Sequence, residues 1–432
     1  TRFSIGIWVG KATSPLKRDD ARKKLEALRK SQDLNHPFVL TRCPHCSTSI
    51  GPVQGEAKKD MRWPGLDFLM SPVTGNRQTV VFLCPNADCP FSSEENPIPA
   101  IVIDEDIFDL KPSLVIATLD KFAQVAFNEE IRSLFGISKD GIRELEAPNL
   151  IIQDELHLIS GPLGSISGIY ETLFEEMCRI GSAKPKIVCS TATIRSAGNQ
   201  VLGLYGRDKI DVFPPSGLDA GDSFFSRYAR QPDGSLEQGQ LFVGAIGTSL
   251  GSVQDLQARV ASALLQAPMR LDAELRDPWT TNLAFFNRIQ DIGTSFSLLR
   301  INARAMLKTL WSRKGVTSKT ERRYVNEAAL MELTSRIDSN SLPATIERLN
   351  ARYPDRQVDI CLASNIIEVG IDIQRLSLMT MLGQPKTTSQ YIQVAGRVGR
   401  DWARRPGLIV VQYPPRRARD RSDRKSTRLN SS

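Results

Sequence analysis

The run Gln393-Val394-Ala395-Gly396-Arg397-Val398-Gly399-Arg400 fills every fixed position of the pattern QxxGRxGR. Two guanidinium groups three residues apart, Arg397 and Arg400, share one face of a helix and can both reach the terminal phosphates of a nucleotide. Their charge meets the negative charge that develops on a transferred phosphoryl group, with Gln393 one turn before them. The competing reading is a solvated basic helix start. A second constellation is Asp154-Glu155, which directly follows the apolar run Leu150-Ile151-Ile152-Gln153. Asp154 is suited to hold the water shell of a magnesium ion, and Glu155 to accept a proton from an attacking water. The alternative is a helix start carrying acids for its dipole. A third is Cys43-Pro44-His45-Cys46 with Cys84-Pro85-Asn86-Ala87-Asp88-Cys89. Two cysteine pairs, each across a tight turn, suit tetrahedral zinc, so Cys43, Cys46, Cys84 and Cys89 are the expected ligands of a zinc ribbon.

These groups need elements to place them. Leu114-Val115-Ile116-Ala117-Thr118, Leu150 to Gln153 and Lys186-Ile187-Val188-Cys189-Ser190 are short apolar strands that end in polar residues. Buried parallel strands with polar carboxyl ends are what a doubly wound sheet presents at its ligand edge. A strand-like run spans Phe3 to Val9, and a basic helix covers Asp19 to Lys30, with Asp19 or Asp20 as its cap. The cysteine-bounded insert occupies about residues 40–95. From 206 to 275 the pattern loosens, with Pro214-Pro215-Ser216-Gly217 and Pro232-Asp233-Gly234 as turns and an amphipathic run from Val253 to Leu265, a connecting and accessory region. A second alternating domain, 276–415, opens with the strand Asn282 to Asn287 and a helix near Asp291. It continues through the strand Asp359 to Ser364.

At 432 residues and 41% hydrophobic content the chain is long enough for two or more cores. No stretch is apolar enough to span a bilayer and no secretory segment opens the chain, so the expectation is a cytoplasmic protein with no membrane partner and without disulfides. Cys178, Cys189 and Cys361 read as ordinary buried residues. His45 is a substitute ligand in a site four cysteines already complete, and His36 is a loop residue before Pro37. Residues 421–432, RSDRKSTRLNSS, have no apolar periodicity and resemble translated adapter read-through. They contribute +3 of the formal +8, leaving +5, a basic bias compatible with nucleic acid.

Taken in order, the motifs resemble those of superfamily 2 helicases, over roughly residues 110–413. The acidic box reads DELH, with Leu156 in place of the usual alanine and His157 retained. Thr191-Ala192-Thr193 matches the motif whose hydroxyls, here Thr191 and Thr193, couple nucleotide state to the acidic box. Asn365 to Asp372 matches motif V, where Gly370 permits close backbone approach and Asp372 can contact the ribose or the finger arginines. Thr118, Asp120 and Lys121 stand in the position of motif Ib and are candidate nucleic-acid contacts, against a reading as helix cap plus surface charge. Arg416-Arg417-Ala418-Arg419 could add phosphate affinity. Within the class, RFSIGIWVGK from Arg2, DELHLISGPLGSISGIYE from Asp154, FPPSGLDAGDSFF from Phe213 and GQPKTTSQY from Gly383 resemble the helicase family of DISARM, a bacterial anti-phage system. The resemblance implies an α/β fold of two RecA-like parallel-sheet domains, the first within 1–205 and interrupted by the zinc ribbon. It also implies ATP held between the two lobes, Mg2+, Zn2+, DNA as the substrate with RNA left open, other DISARM components as partners, and the bacterial cytoplasm.

One part departs from the family. A phosphate-binding loop needs GxxxxGK followed by Ser or Thr. Gly6-Ile7-Trp8-Val9-Gly10-Lys11-Ala12 is one residue short between its glycines and has Ala12 where the hydroxyl belongs. The expectation is a fragment that starts at Thr1 inside its first domain, with the loop upstream, and that hydrolyses ATP poorly by itself. The alternative function is a nucleotide-gated DNA-binding scaffold. A nuclease subunit ranks last, because no second acidic metal constellation is found.

Overall fold

Strand and helix limits follow the sequence punctuation in the computed structural model, which describes residues 3–10, 14–30, 38–51, 53–54, 61–70, 75, 77–159, 161–191, 197–215, 217–218, 221–247, 252–337, 342–354, 358–364, 373–401, 405–414 and 420. The chain divides into two compact units, Thr1–Ile210 and Asp211–Ser432. Each is described by itself.

The first unit opens with β1 (Ile5–Trp8) and α1 (Arg18–Lys30). The helix starts at Arg18, so Asp19 and Asp20 lie inside its first turn and not at its cap, where they still favour the positive end of the dipole. Two antiparallel hairpins follow, β2 (Val53–Gln54) with β3 (Met61–Arg62) and β4 (Leu66–Met70) with β5 (Gln78–Phe82). Next come β6 (Ala100–Ile101), α2 (Asp104–Leu110), β7 (Leu114–Ala117), α3 (Leu119–Ala123), β8 (Leu150–Gln153), α4 (Gly161–Cys178), β9 (Lys186–Cys189) and α5 (Ala197–Tyr205). The sheets here are parallel, β6-β1-β7 and β8-β9. An aromatic core forms around Trp8, whose ring meets Phe108 edge-on at 5.4 Å and Phe122 at 5.5 Å. The insert does not stand apart: Phe38, Ile50, Trp63, Phe82 and three of its cysteines share one core with Leu25 and Leu28 of α1 and with Ile98 and Ile103.

The second unit is a doubly wound sheet. Its strands are β10 (Leu241–Ile246), β11 (Asn282–Phe286), β12 (Leu330–Leu333), β13 (Ile360–Ala363), β14 (Leu378–Leu382) and β15 (Leu408–Tyr413). They lie in the order β10-β15-β14-β11-β13-β12, every neighbouring pair parallel. The helices are α6 (Val253–Gln266), α7 (Ile289–Lys314), α8 (Leu342–Asn350) and α9 (Thr388–Ala395). Successive side chains alternate faces: Leu283, Phe285, Met379 and Met381 pack beneath α8 and α9, while Ala284, Phe286, Ile360 and Leu362 meet α6 and α7. The stretch 206–275, read from sequence as connecting and accessory, supplies an edge strand to this sheet through β10 and a covering helix through α6. No helix among the described residues is long and apolar enough to cross a membrane.

Candidate functional site

Parallel register sets Gln153 of β8 opposite Cys189 of β9, so the residues that follow, Asp154 and Ser190, meet at the carboxyl edge. Asp154 Oδ1 accepts the Glu155 backbone N–H at 2.9 Å and the Ser190 hydroxyl. Its partner strand also holds the loop, the Leu156 N–H donating to the Ser190 carbonyl at 2.9 Å. Glu155 takes a left-handed backbone, φ 51°, ψ 44°. A non-glycine residue there costs about 1 kcal/mol. His157 Nδ1 stands 3.3 Å from Glu155 Oε2. From α5, Gln200 Nε2 donates to the carbonyls of Leu156 at 2.9 Å and Ile159 at 2.8 Å, a staple that sequence reasoning missed. The motif reading assigned the coupling to Thr191 and Thr193. Thr191 is exposed, Thr193 lies outside the described residues, and the hydroxyl found on Asp154 is that of Ser190.

Behind this edge is a buried acid. Beside the Tyr205 hydroxyl, Glu171 of α4 is only 6% exposed. Burial pushes it up to about 7. Tyr205 is raised by burial and by Glu171 beside it, and Cys189 Sγ lies 3.9 Å from the Tyr205 hydroxyl.

In the second unit, Thr387 caps α9 by accepting the Gln390 N–H at 3.1 Å, and the helix carries Gln393 before ending at Ala395. Arg397 and Arg400 therefore lie beyond the helix, in a turn, and the expectation that they share one helical face is corrected. The reason is Gly399, at φ 66°, where an added Cβ would fall 2.3 Å from the Gly407 nitrogen. Val398 is fully buried between the two arginines and anchors the turn in the core. Arg400 Nε donates to the Gly396 carbonyl at 3.3 Å. Gln240, just before β10, donates through Nε2 to the carbonyls of Ala395 and Val398, both at 2.8 Å. Its signal in the sequence is faint, a glutamine before an apolar run. Gly370 and Asp372 of motif V lie outside the described residues.

The motif Ib candidates divide. Thr118 precedes α3 as its cap residue without a side-chain cap bond. Lys121 is 6% exposed, its ammonium 2.9 Å from Asp104 Oδ2 and 5.5 Å from the centre of the Trp8 ring. Trp8 Nε1 donates to the same carboxylate oxygen at 3.1 Å. This is a correction: Lys121 is spent on a buried ion pair and is withdrawn from contact with phosphates, whereas Asp120 lies in the first turn of α3.

The four cysteines converge. Their sulfurs all lie within 4.8 Å of one another, Cys43 to Cys89 at 3.8 Å and Cys46 to Cys84 at 3.3 Å. Tetrahedral zinc–thiolate bonds of about 2.3 Å place sulfurs about 3.8 Å apart. The Thr48 hydroxyl brings Cys46 down to about 6, while burial pushes Cys84 up to about 12 and raises Cys89. His45 Nδ1 is 3.8 Å from Cys89 Sγ, beside the four and not among them.

The helicase conserved C-terminal domain family matches residues 301–401. The chain is 34% identical over 464 aligned residues to the DISARM protein DrmA of Bacillus paralicheniformis, a match that takes in 98% of the chain and 39% of the relative. The chain thus spans about two-fifths of that relative's length. Among solved structures, the DNA-bound DUF1998 helicase MrfA shares the fold with a TM-score of 0.50 at 15% identity, over 95% of this chain and 42% of that one.

Proposed function

We propose that these residues, in a chain homologous to DrmA whose residues 301–401 match the helicase conserved C-terminal domain family, form part of an ATP-driven superfamily 2 motor that moves on DNA in anti-phage defence. The observation that carries the reading is the acidic strand end, where Asp154 and Glu155 stand side by side at the carboxyl edge with different partners, Ser190 for the first and His157 for the second. Asp154, exposed and with Oδ1 held by the Glu155 N–H and Ser190, is the group that would hold magnesium through its water shell. Bound magnesium and ATP would supply an electrophilic terminal phosphoryl group. Glu155 takes the proton of the attacking water, and His157 steadies it. Arg397 and Arg400 supply positive charge for the developing phosphoryl charge, their turn fixed by Gly399 and Gln240.

The 432 residues contain no GxxxxGK followed by Ser or Thr. The chain alone is therefore proposed to turn ATP over poorly, the phosphate-binding loop being supplied by sequence outside it. Reading the source DNA upstream of the Thr1 codon, in frame, tests this. A GxxxxGK[ST] motif there, with DNA-stimulated hydrolysis by the completed protein, is the expected result. An in-frame start codon without the motif favours a nucleotide-gated DNA-binding scaffold. The cysteine cluster is proposed to hold one structural zinc ion. Elemental analysis should find one zinc per chain, lost in Cys84→Ser; a chain folded without metal contradicts it.

A further inference from the structure

Between Arg300 and Tyr324 the chain carries eight Lys or Arg against one acid, Glu321, a net +7 out of a formal +8 for all 432 residues. The remainder of the molecule sums to +1, so this segment is a concentrated source of attraction for polyanions. The segment is the second half of α7 and the turn that follows. α7 begins just past the carboxyl end of β11 and runs 26 residues, about 39 Å, whereas a five-residue strand spans about 17 Å. Its last turns consequently project past the amino ends of the strands, on the opposite face of the sheet from α9 and the arginine turn.

Lys308, Arg313, Lys314 and Lys319 are exposed there and form no ion pair among the described residues. The ground beneath them is rigid. Gln266, 8% exposed, accepts the Trp311 indole N–H at 2.7 Å and the Arg323 backbone N–H at 3.0 Å, and donates to the Glu321 carbonyl at 2.7 Å. The Arg322 guanidinium lies 5.2 Å from the centre of the Trp311 ring, and the Tyr324 ring stands 5.2 Å from the same indole. Tyr324 itself is 55% exposed, at the mouth of a cleft of about 380 Å³ that Arg348 and Asn326 also line. Unpaired cations gathered at the end of a helix and in the turn after it, with an exposed aromatic ring in the same segment, are the two components of single-strand binding: phosphate attraction and base stacking.

We propose that this surface is a second nucleic-acid contact, on which a single strand lays its phosphates along Lys308, Arg313, Lys314 and Lys319 and stacks a base on Tyr324. It does not depend on hydrolysis, and it is tested by affinity without nucleotide, so this proposal and the motor reading can fail separately. The experiment is fluorescence anisotropy of a labelled oligo-dT strand with the purified chain across a salt series. Arg313→Glu/Lys314→Glu should weaken binding at least tenfold and lower the slope of log K against log salt by about 1.4, two single-strand phosphate contacts. Tyr324→Ala should weaken binding roughly tenfold with the slope unchanged. Should the charge reversal unfold the chain, Arg313→Gln/Lys314→Gln gives the same reading of the slope. Unchanged affinity and slope in a folded double variant overturn the proposal.

Discussion

Both candidate sites are stapled in the same way. Gln200 bridges the carbonyls of Leu156 and Ile159 behind the acidic pair, and Gln240 bridges those of Ala395 and Val398 behind the arginine turn. The ground under the two staples differs. Ile152 of β8, two residues before Asp154, is 61% exposed, whereas Met379 and Met381 of β14 are fully buried. The acidic edge is thus placed mainly by local hydrogen bonds and a strained residue, and the arginine turn by a sheet covered on both faces. Positional precision in the first case rests on polar groups, in the second on packing.

Gly399→Ala presses hardest on that contrast. A methyl group 2.3 Å from the Gly407 nitrogen, at φ 66°, cannot be relieved by a rotamer change, because the obstacle is backbone. Loss of about 3 kcal/mol in chemical denaturation is expected. An equally large loss from Ser190→Ala in the first unit would erase the distinction.

Glu171 gives the next effect, and its sign is set by burial. Its folded value of about 7 exceeds the ordinary 4.5, so between those values the folded chain keeps a proton that the unfolded chain has released. Its stability contribution is complete below about pH 4.5, declines as pH rises through the window, and is lost above 7. Glu171→Gln should remove that slope and be more stable by about 1–3 kcal/mol at pH 8, read from denaturation at pH 5.5 and 8. A slope unchanged by the substitution contradicts a buried neutral acid.

The two staples sharpen the comparison at the smallest scale. Gln240→Ala leaves two carbonyls in a packed setting and should cost about 1–2 kcal/mol. Gln200→Ala, on the more open edge, should cost under about 1 kcal/mol while reducing turnover of the completed protein more than it reduces stability. The reverse ranking of the stability losses counts against the account.

Much of this was legible in the residue pattern. The strands beginning at Leu114, Leu150, Lys186 and Asn282 and the helix from Val253 were read within a residue or two, because apolar runs bounded by polar ends and glycines carry their own limits. The four cysteines declared themselves by spacing and converge, and Asp154 and Glu155 stand at the strand end where the pattern put them. What escaped depends on contacts distant in sequence. Nothing in Gln240 announces a carbonyl pair more than 150 residues away, with separations of 155 and 158. Nor does Lys121 announce that Asp104 will bury it. Strand β10 was hidden in a loosely patterned stretch because its partner, β15, comes at the far end of the unit. The turn that removes Arg397 and Arg400 from a helix is encoded in Gly399, but only beside Gly407 is its necessity visible.

The central claim is that Glu155 is the general base of an ATP-hydrolysing motor. It is tested most directly by DNA-stimulated ATP turnover of the completed protein and its Glu155→Gln variant, with nucleotide binding measured in parallel. Turnover is expected to fall by at least about a hundredfold while binding is retained. Turnover equal to that of the unaltered protein would remove Glu155 from the role.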